Sequence, residues 1–178
     1  MKNVILNNNA VLLKPIEHSD ANDLINLINE CRSYLKPWLP WVDSTNHICD
    51  VVNFIDTITD EKEHPFTITY NYKIVGVIAL KNYDGNNYSC EIGYWIGEKF
   101  QNNGIAYNSC KLLVDFLFKK LNIKRIEIGI ANDNIKSKKI PLKLGFHKEG
   151  IKKCAEFINN QFKDYEIYSL INESWNVR

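Results

Sequence analysis

Apolar and polar positions recur at two periods along this chain, and the switches between them mark its elements. Val11 to Lys14 alternates and stops at Pro15, which predicts a first strand. Ser19 and Asp20 are suited to cap a helix whose apolar face is Leu24, Ile25, Leu27 and Ile28. Tyr34 to Trp41 is aromatic, and Pro37 and Pro40 predict that it stays out of helix. Thr45 or Asn46 is expected to start a second helix through Val51, Val52, Phe54, Ile55 and Ile58. Phe66 to Tyr70 and Lys73 to Leu80 read as a hairpin about Asn71, and Asp84 to Asn87 as a turn into a strand from Tyr88 to Ile96.

At Gly104 the period lengthens, with Ile105, Leu112, Leu113, Phe116, Leu117 and Leu121 at helical spacing. Arg125 to Ile130 alternates again, and Asn134 to Leu144 reads as a short helix with Gly145 as its C-cap. Two closing strands, Phe146 to Ile158 and Phe162 to Ile171, meet at a turn near Asn159 and Asn160. The pattern predicts one domain over residues 1–178, of α/β (α+β) class. A mixed, mostly antiparallel central sheet is flanked by helices, with a β-α-β-α core in the second half.

Composition narrows the partners. A net charge of +1 supplies no general field for a polyanion, so direct nucleic-acid binding is not expected. The densest basic stretch is Lys136, Lys138, Lys139 and Lys143, either a solvated helix face or an anion-binding one. No apolar run approaches the ~20 residues of a membrane span, and the N-terminal residues lack a signal-peptide pattern, so a cytoplasmic location is expected. The five cysteines are widely spaced, which predicts neither a metal site nor a disulfide framework; Cys90 and Cys110 read as small buried hydrophobes.

The chemistry concentrates where the strand ending at Ile96 gives way to the helix from Gly104. Gln101-Asn102-Asn103-Gly104-Ile105-Ala106 occupies the junction. A helix start offers unpaired N–H groups and partial positive charge, both suited to a pyrophosphate. Gly104 lets a phosphate approach the backbone, and Ala106 keeps the approach open.

This string resembles motif A of the GNAT acetyltransferases, [QR]-x-x-G-x-[GA]. A second signature follows at the expected distance, Asn134-x-x-Ser137 and then Leu144-Gly145-Phe146. Glu91-Ile92-Gly93-Tyr94-Trp95-Ile96 is similar to a strand of the ribosomal-protein-serine (RimL-type) subgroup, as are Glu149-Gly150, Ala155-Glu156 and the segment Asp164 to Leu170. The resemblance covers roughly residues 10–172 and implies the GNAT fold, with acetyl-CoA as cosubstrate, no metal, and direct transfer of acetyl to an amine. It implies that Gln101, Asn102, Asn103, Gly104, Ile105 and Ala106 hold the pyrophosphate, and that backbone at Trp95 and Ile96 pairs with the pantetheine amides. Asn134 then binds nearer the cofactor arm, Ser137 protonates the leaving thiolate, and Glu156 is the general base. The tyrosine that serves as acid in many relatives is replaced here by Pro141. A homodimer is compatible with the same resemblance.

The acceptor is read as the N-terminal α-amine of a protein, such as a ribosomal protein with N-terminal serine. An α-amine with a pKa of about 7.7–8.0 is far more often neutral than a lysine at about 10.4, so one carboxylate suffices as base. Two alternatives stand beside it: a small amine (a polyamine, amino sugar or drug), and a non-catalytic CoA-binding module. Trp38 and Trp41 are either core or an acceptor-binding lip.

Overall fold

The computed structural model describes residues 4–58 and 62–176; Met1 to Asn3, part of the segment read as lacking a signal peptide, lie outside them. Short strands β1 (Leu6–Asn7) and β2 (Leu12–Pro15) lead into helices α1 (Ala21–Leu35) and α2 (Ile48–Thr57). Three long strands follow, β3 (His64–Tyr70), β4 (Lys73–Asp84) and β5 (Ser89–Ile96). Helix α3 (Ile105–Lys119), β6 (Arg125–Ala131), α4 (Ile135–Lys143), β7 (His147–Ile158) and β8 (Gln161–Ile171) complete the order. All eight strands join one sheet in the order β1-β2-β3-β4-β5-β6-β8-β7.

Every neighbouring pair is antiparallel except β5–β6, which α3 connects as a crossover. That parallel pair is short: Ser89, Cys90 and Glu91 register with Arg125, Ile126 and Glu127. Beyond it β5 stays on β4 as far as Ile96, while β6 stays on β8 as far as Ala131. The sheet therefore opens into a V, with Ile92–Ile96 on one arm and Ile128–Ala131 on the other.

The main core lies between α3 and the sheet. Ile105, Cys110, Leu113 and Leu117 of α3 meet Phe66, Ile78, Leu80, Ile92, Ile126 and Ile128, all fully or nearly fully buried. Cys90 and Cys110 sit in this core as expected; burial pushes the Cys90 thiol up to about 12 and the Cys110 thiol up as well. A second cluster packs α1 and α2 on the other face through Leu24, Ile28, Val51 and Ile55.

Two expectations need correction. Tyr34 and Leu35 belong to α1, which stops only ahead of Pro37, and Pro40 opens a 3-10 turn over Pro40–Asp43 instead of an extended stretch. Helix α2 starts at Ile48, because the Asp50 carboxylate takes the Asn46 and His47 amides at 2.8 Å each. Strand β1 was not anticipated, since two residues carry no readable period. The hairpins stand: Asn71–Tyr72 and Asn159–Asn160 adopt the paired positive φ of tight primed turns.

A buried carboxylate held by two lysines ties the crossover half together. Glu166, 7% exposed, accepts from Lys138 and Lys148 at 2.8 Å each and from the Tyr168 hydroxyl at 2.5 Å. Those partners, Lys138 first, hold its carboxyl at about 2, below the usual 4.5. Because the folded value is the lower one, this stabilisation is present above pH 4.5 and is lost as pH falls through about 2. Glu166→Gln is expected to cost about 2 kcal/mol at pH 7. The gap to the unsubstituted protein should narrow in urea titrations run below pH 4.5.

Candidate active site

The V between β5 and β6 continues into a cleft of about 460 Å³. Its walls are the two strand arms, the α3 start, the first turns of α4, and an aromatic lip of Tyr34, Trp38 and Trp41. Of the sequence-expected site residues, Trp95, Ile96, Gln101, Asn102, Gly104, Ile105, Ala106, Asn134, Ser137 and Glu156 all line it. Asn103 does not: its side-chain amide turns back onto the Phe100 and Gln101 carbonyls at 3.3 and 3.1 Å, bracing the loop.

At the α3 start Gly104 has φ +71°, in the left-handed region, and Asn102 has φ +63°. The first intrahelical bond runs from the Asn108 amide to the Gly104 carbonyl at 2.9 Å. Helical geometry thus leaves the Ile105, Ala106 and Tyr107 N–H groups facing out of the helix end. Beside them the Gln101 side-chain oxygen accepts from Lys136 at 3.1 Å, while its buried amide nitrogen has no partner. A buried donor without an acceptor is costly, and a phosphate oxygen would satisfy it. Lys136, Lys139 and Lys143 line the same end, with Lys143 4.5 Å above the Tyr107 ring. Lys138, the remaining member of the basic run, turns away to Glu166. The donor set fits a pyrophosphate.

The middle of the cleft carries Asn134 and Ser137. Asn134 is the N-cap of α4, its side-chain oxygen accepting the Ser137 amide at 3.2 Å. The Asn-x-x-Ser spacing is therefore a cap that turns the start of α4 toward the gap. Gly145, at φ +85°, ends the helix, with its amide on Leu142 and that of Phe146 on Pro141.

Glu156, which also lines the cleft, is half-buried, and the Tyr165 hydroxyl donates to its carboxylate. Burial, with Glu156 beside it, pushes the Tyr165 phenol up, so it remains a donor. Glu156 is the one carboxylate among the described lining residues, against Lys81, Lys136, Lys139 and Lys143. The lip is fixed from behind. Arg32 donates to the Val42 and Thr45 carbonyls, and the Trp41 ring stands 5.9 Å from that of Trp95. Trp41 is thus a partly exposed wall of the cleft and not core.

Two further residues escaped the sequence reading, Tyr94 and Tyr165. Tyr94 spans the gap, its hydroxyl donating to the Ser137 carbonyl at 3.0 Å. Tyr165 meets Glu156 only because β7 bulges between Lys152 and Glu156, which shifts the register.

Known proteins are similar to this chain in sequence and in fold. A Bacillus subtilis relative provisionally named ribosomal N-acetyltransferase YdaF is 28% identical over 176 residues, covering 94% of both chains. The Escherichia coli ribosomal-protein-serine acetyltransferase is 32% identical over 109 residues, 61% of each chain. The solved structure of the microcin C7 self-immunity acetyltransferase MccE, in complex with acetyl-CoA and AMP, superposes with a TM-score of 0.88. Its identity is 32%, across 93% of this chain and 94% of that one. The acetyltransferase (GNAT) domain pattern matches residues 10–147. With its mixed sheet, split parallel pair and matching domain pattern, this chain belongs to the GNAT acetyltransferase family and is an acetyltransferase.

Proposed function

We propose that the protein binds acetyl-CoA in the split of the sheet and acetylates a free α-amine, that of a protein N-terminus such as a ribosomal protein beginning with serine. The pyrophosphate is held by the loop Gln101–Ala106, through backbone N–H groups and the unpartnered Gln101 amide. Asn103 contributes by bracing that loop. Backbone at Trp95 and Ile96, on the edge that β6 leaves unpaired, takes the pantetheine amides, with Asn134 nearby. In the transfer the amine nitrogen bonds to the acetyl carbonyl carbon and the carbon–sulfur bond breaks. Glu156 receives the amine proton, and the Ser137 hydroxyl gives a proton to the departing thiolate before solvent resupplies it. Acetyl-CoA and newly made protein termini both favour a cytoplasmic location.

The observation that carries the acceptor assignment is the solitary carboxylate at the aromatic end. Glu156 is the one carboxylate among the described residues lining the cleft, and a single carboxylate is a poor host for a polycation such as a polyamine. An α-amine, partly neutral at pH 7, needs no acidic cage. A second reading keeps the α-amine but places it on a small molecule bearing a flat ring. It draws on the AMP bound in MccE and on the exposed Trp41 wall. Thiol release should be measured with a serine-starting peptide, an N-terminally blocked lysine peptide, an aminoacyl nucleotide analogue and spermidine. Turnover confined to the first supports the protein acceptor. Turnover confined to the third favours the second reading, and turnover on spermidine alone removes both.

A further inference from the structure

Pro141 lies within α4, one helical turn after Ser137. In an uninterrupted helix the Ser137 carbonyl would accept the amide of residue 141, but proline has none. The proline ring also crowds the carbonyl one turn back and tilts it off the helix axis. That carbonyl is the one that Tyr94 reaches from β5, at 3.0 Å. The Tyr94 ring packs on the α3 core, and burial raises its phenol, so the hydroxyl donates throughout the working pH range. Ser137 is thus held through both backbone groups, its amide by Asn134 on its own helix and its carbonyl by Tyr94 on the opposite arm.

We propose that Tyr94 and Pro141 act together as a positioning device. Pro141 frees the Ser137 carbonyl, and Tyr94 captures it across the split, fixing where the Ser137 hydroxyl stands relative to the thioester. This rests on the reading of Ser137 as proton donor to the thiolate. A bond to a fixed carbonyl orients the N-terminal turn of α4 at the reacting centre, so its loss is felt in the chemical step more than in cofactor binding.

The test is a set of single and double variants assayed by thiol release on a serine-starting peptide, with acetyl-CoA affinity measured by calorimetry. Tyr94→Phe should lower kcat about tenfold, the size of one lost hydrogen bond, and leave the acetyl-CoA Kd within about twofold. In a Ser137→Ala background the same change should cost less than about twofold, because the hydroxyl it positions is gone. In a Pro141→Ala background it should also cost less than about twofold, because residue 141 regains an amide for the carbonyl. An undiminished tenfold cost in either background overturns the inference while leaving the Ser137 assignment standing. A Ser137→Ala protein with unchanged kcat overturns that assignment, and this inference with it.

Discussion

Gly104→Asp is expected to weaken acetyl-CoA binding about 100-fold while leaving the fold in place. Position 104 sits at φ +71°, where aspartate and asparagine are the side chains best tolerated after glycine. A Cβ there would meet only the Asn108 amide, at 3.4 Å, an ordinary contact. The substitution therefore adds a carboxylate at the mouth of the α3 N-terminus, where the outward N–H groups and the unpartnered Gln101 amide await anionic oxygens. Two like charges about 4 Å apart at a protein surface repel by several kcal/mol. Gly104→Asn, of the same shape without the charge, separates backbone strain from electrostatics and should cost no more than about tenfold. Equal losses in the two variants, read by calorimetry, would mean that no phosphate lies at this helix end.

Ser137→Ala is expected to lower kcat about 100-fold with the acetyl-CoA Kd unchanged within about threefold. The α4 cap survives the change, because Asn134 accepts the Ser137 amide and not its hydroxyl. What disappears is the one alcohol that the cap presents to the cleft. Ser137 carries the one hydroxyl in α4, so nothing on the same helix substitutes for it. A kcat within twofold of the unsubstituted protein would show that the thiolate draws its proton from water.

Much of this was legible in the residues, for identifiable reasons. Local chemistry fixed the primed turns at Asn71 and Asn159–Asn160, the Gly145 cap and the switch of period at Gly104, since each depends on a few adjacent side chains. The loop Gln101–Ala106, which we propose holds the pyrophosphate, stood out because its string sets a glycine, here at φ +71°, at a helix start. The Asn134–Ser137 spacing was visible as a signature, and its physical meaning as a helix cap emerged only from the geometry. What stayed hidden was non-local. The split of β5 from β6 depends on how far each strand stays with its other neighbour. The Tyr165–Glu156 contact depends on a bulge, and the Tyr94–Ser137 bond joins residues 43 apart in sequence. Asp50, not Thr45 or Asn46, set the α2 start, because its carboxylate satisfies two backbone amides at once. Lys138 shows the opposite error. Read with its neighbours as one basic face, it leaves that face for a buried partner that no local pattern announces.

In the proposed reaction acetyl passes from acetyl-CoA to a free α-amine in the cleft lined by Glu156 and Ser137. Its most direct test is to incubate the protein with acetyl-CoA and a single peptide carrying an N-terminal serine and an internal lysine, and to locate the acetyl group by fragmentation mass spectrometry. Acetyl found on the serine α-amine, and lost in Ser137→Ala and Glu156→Gln, is the predicted result. Acetyl found only on the lysine side chain would contradict the account.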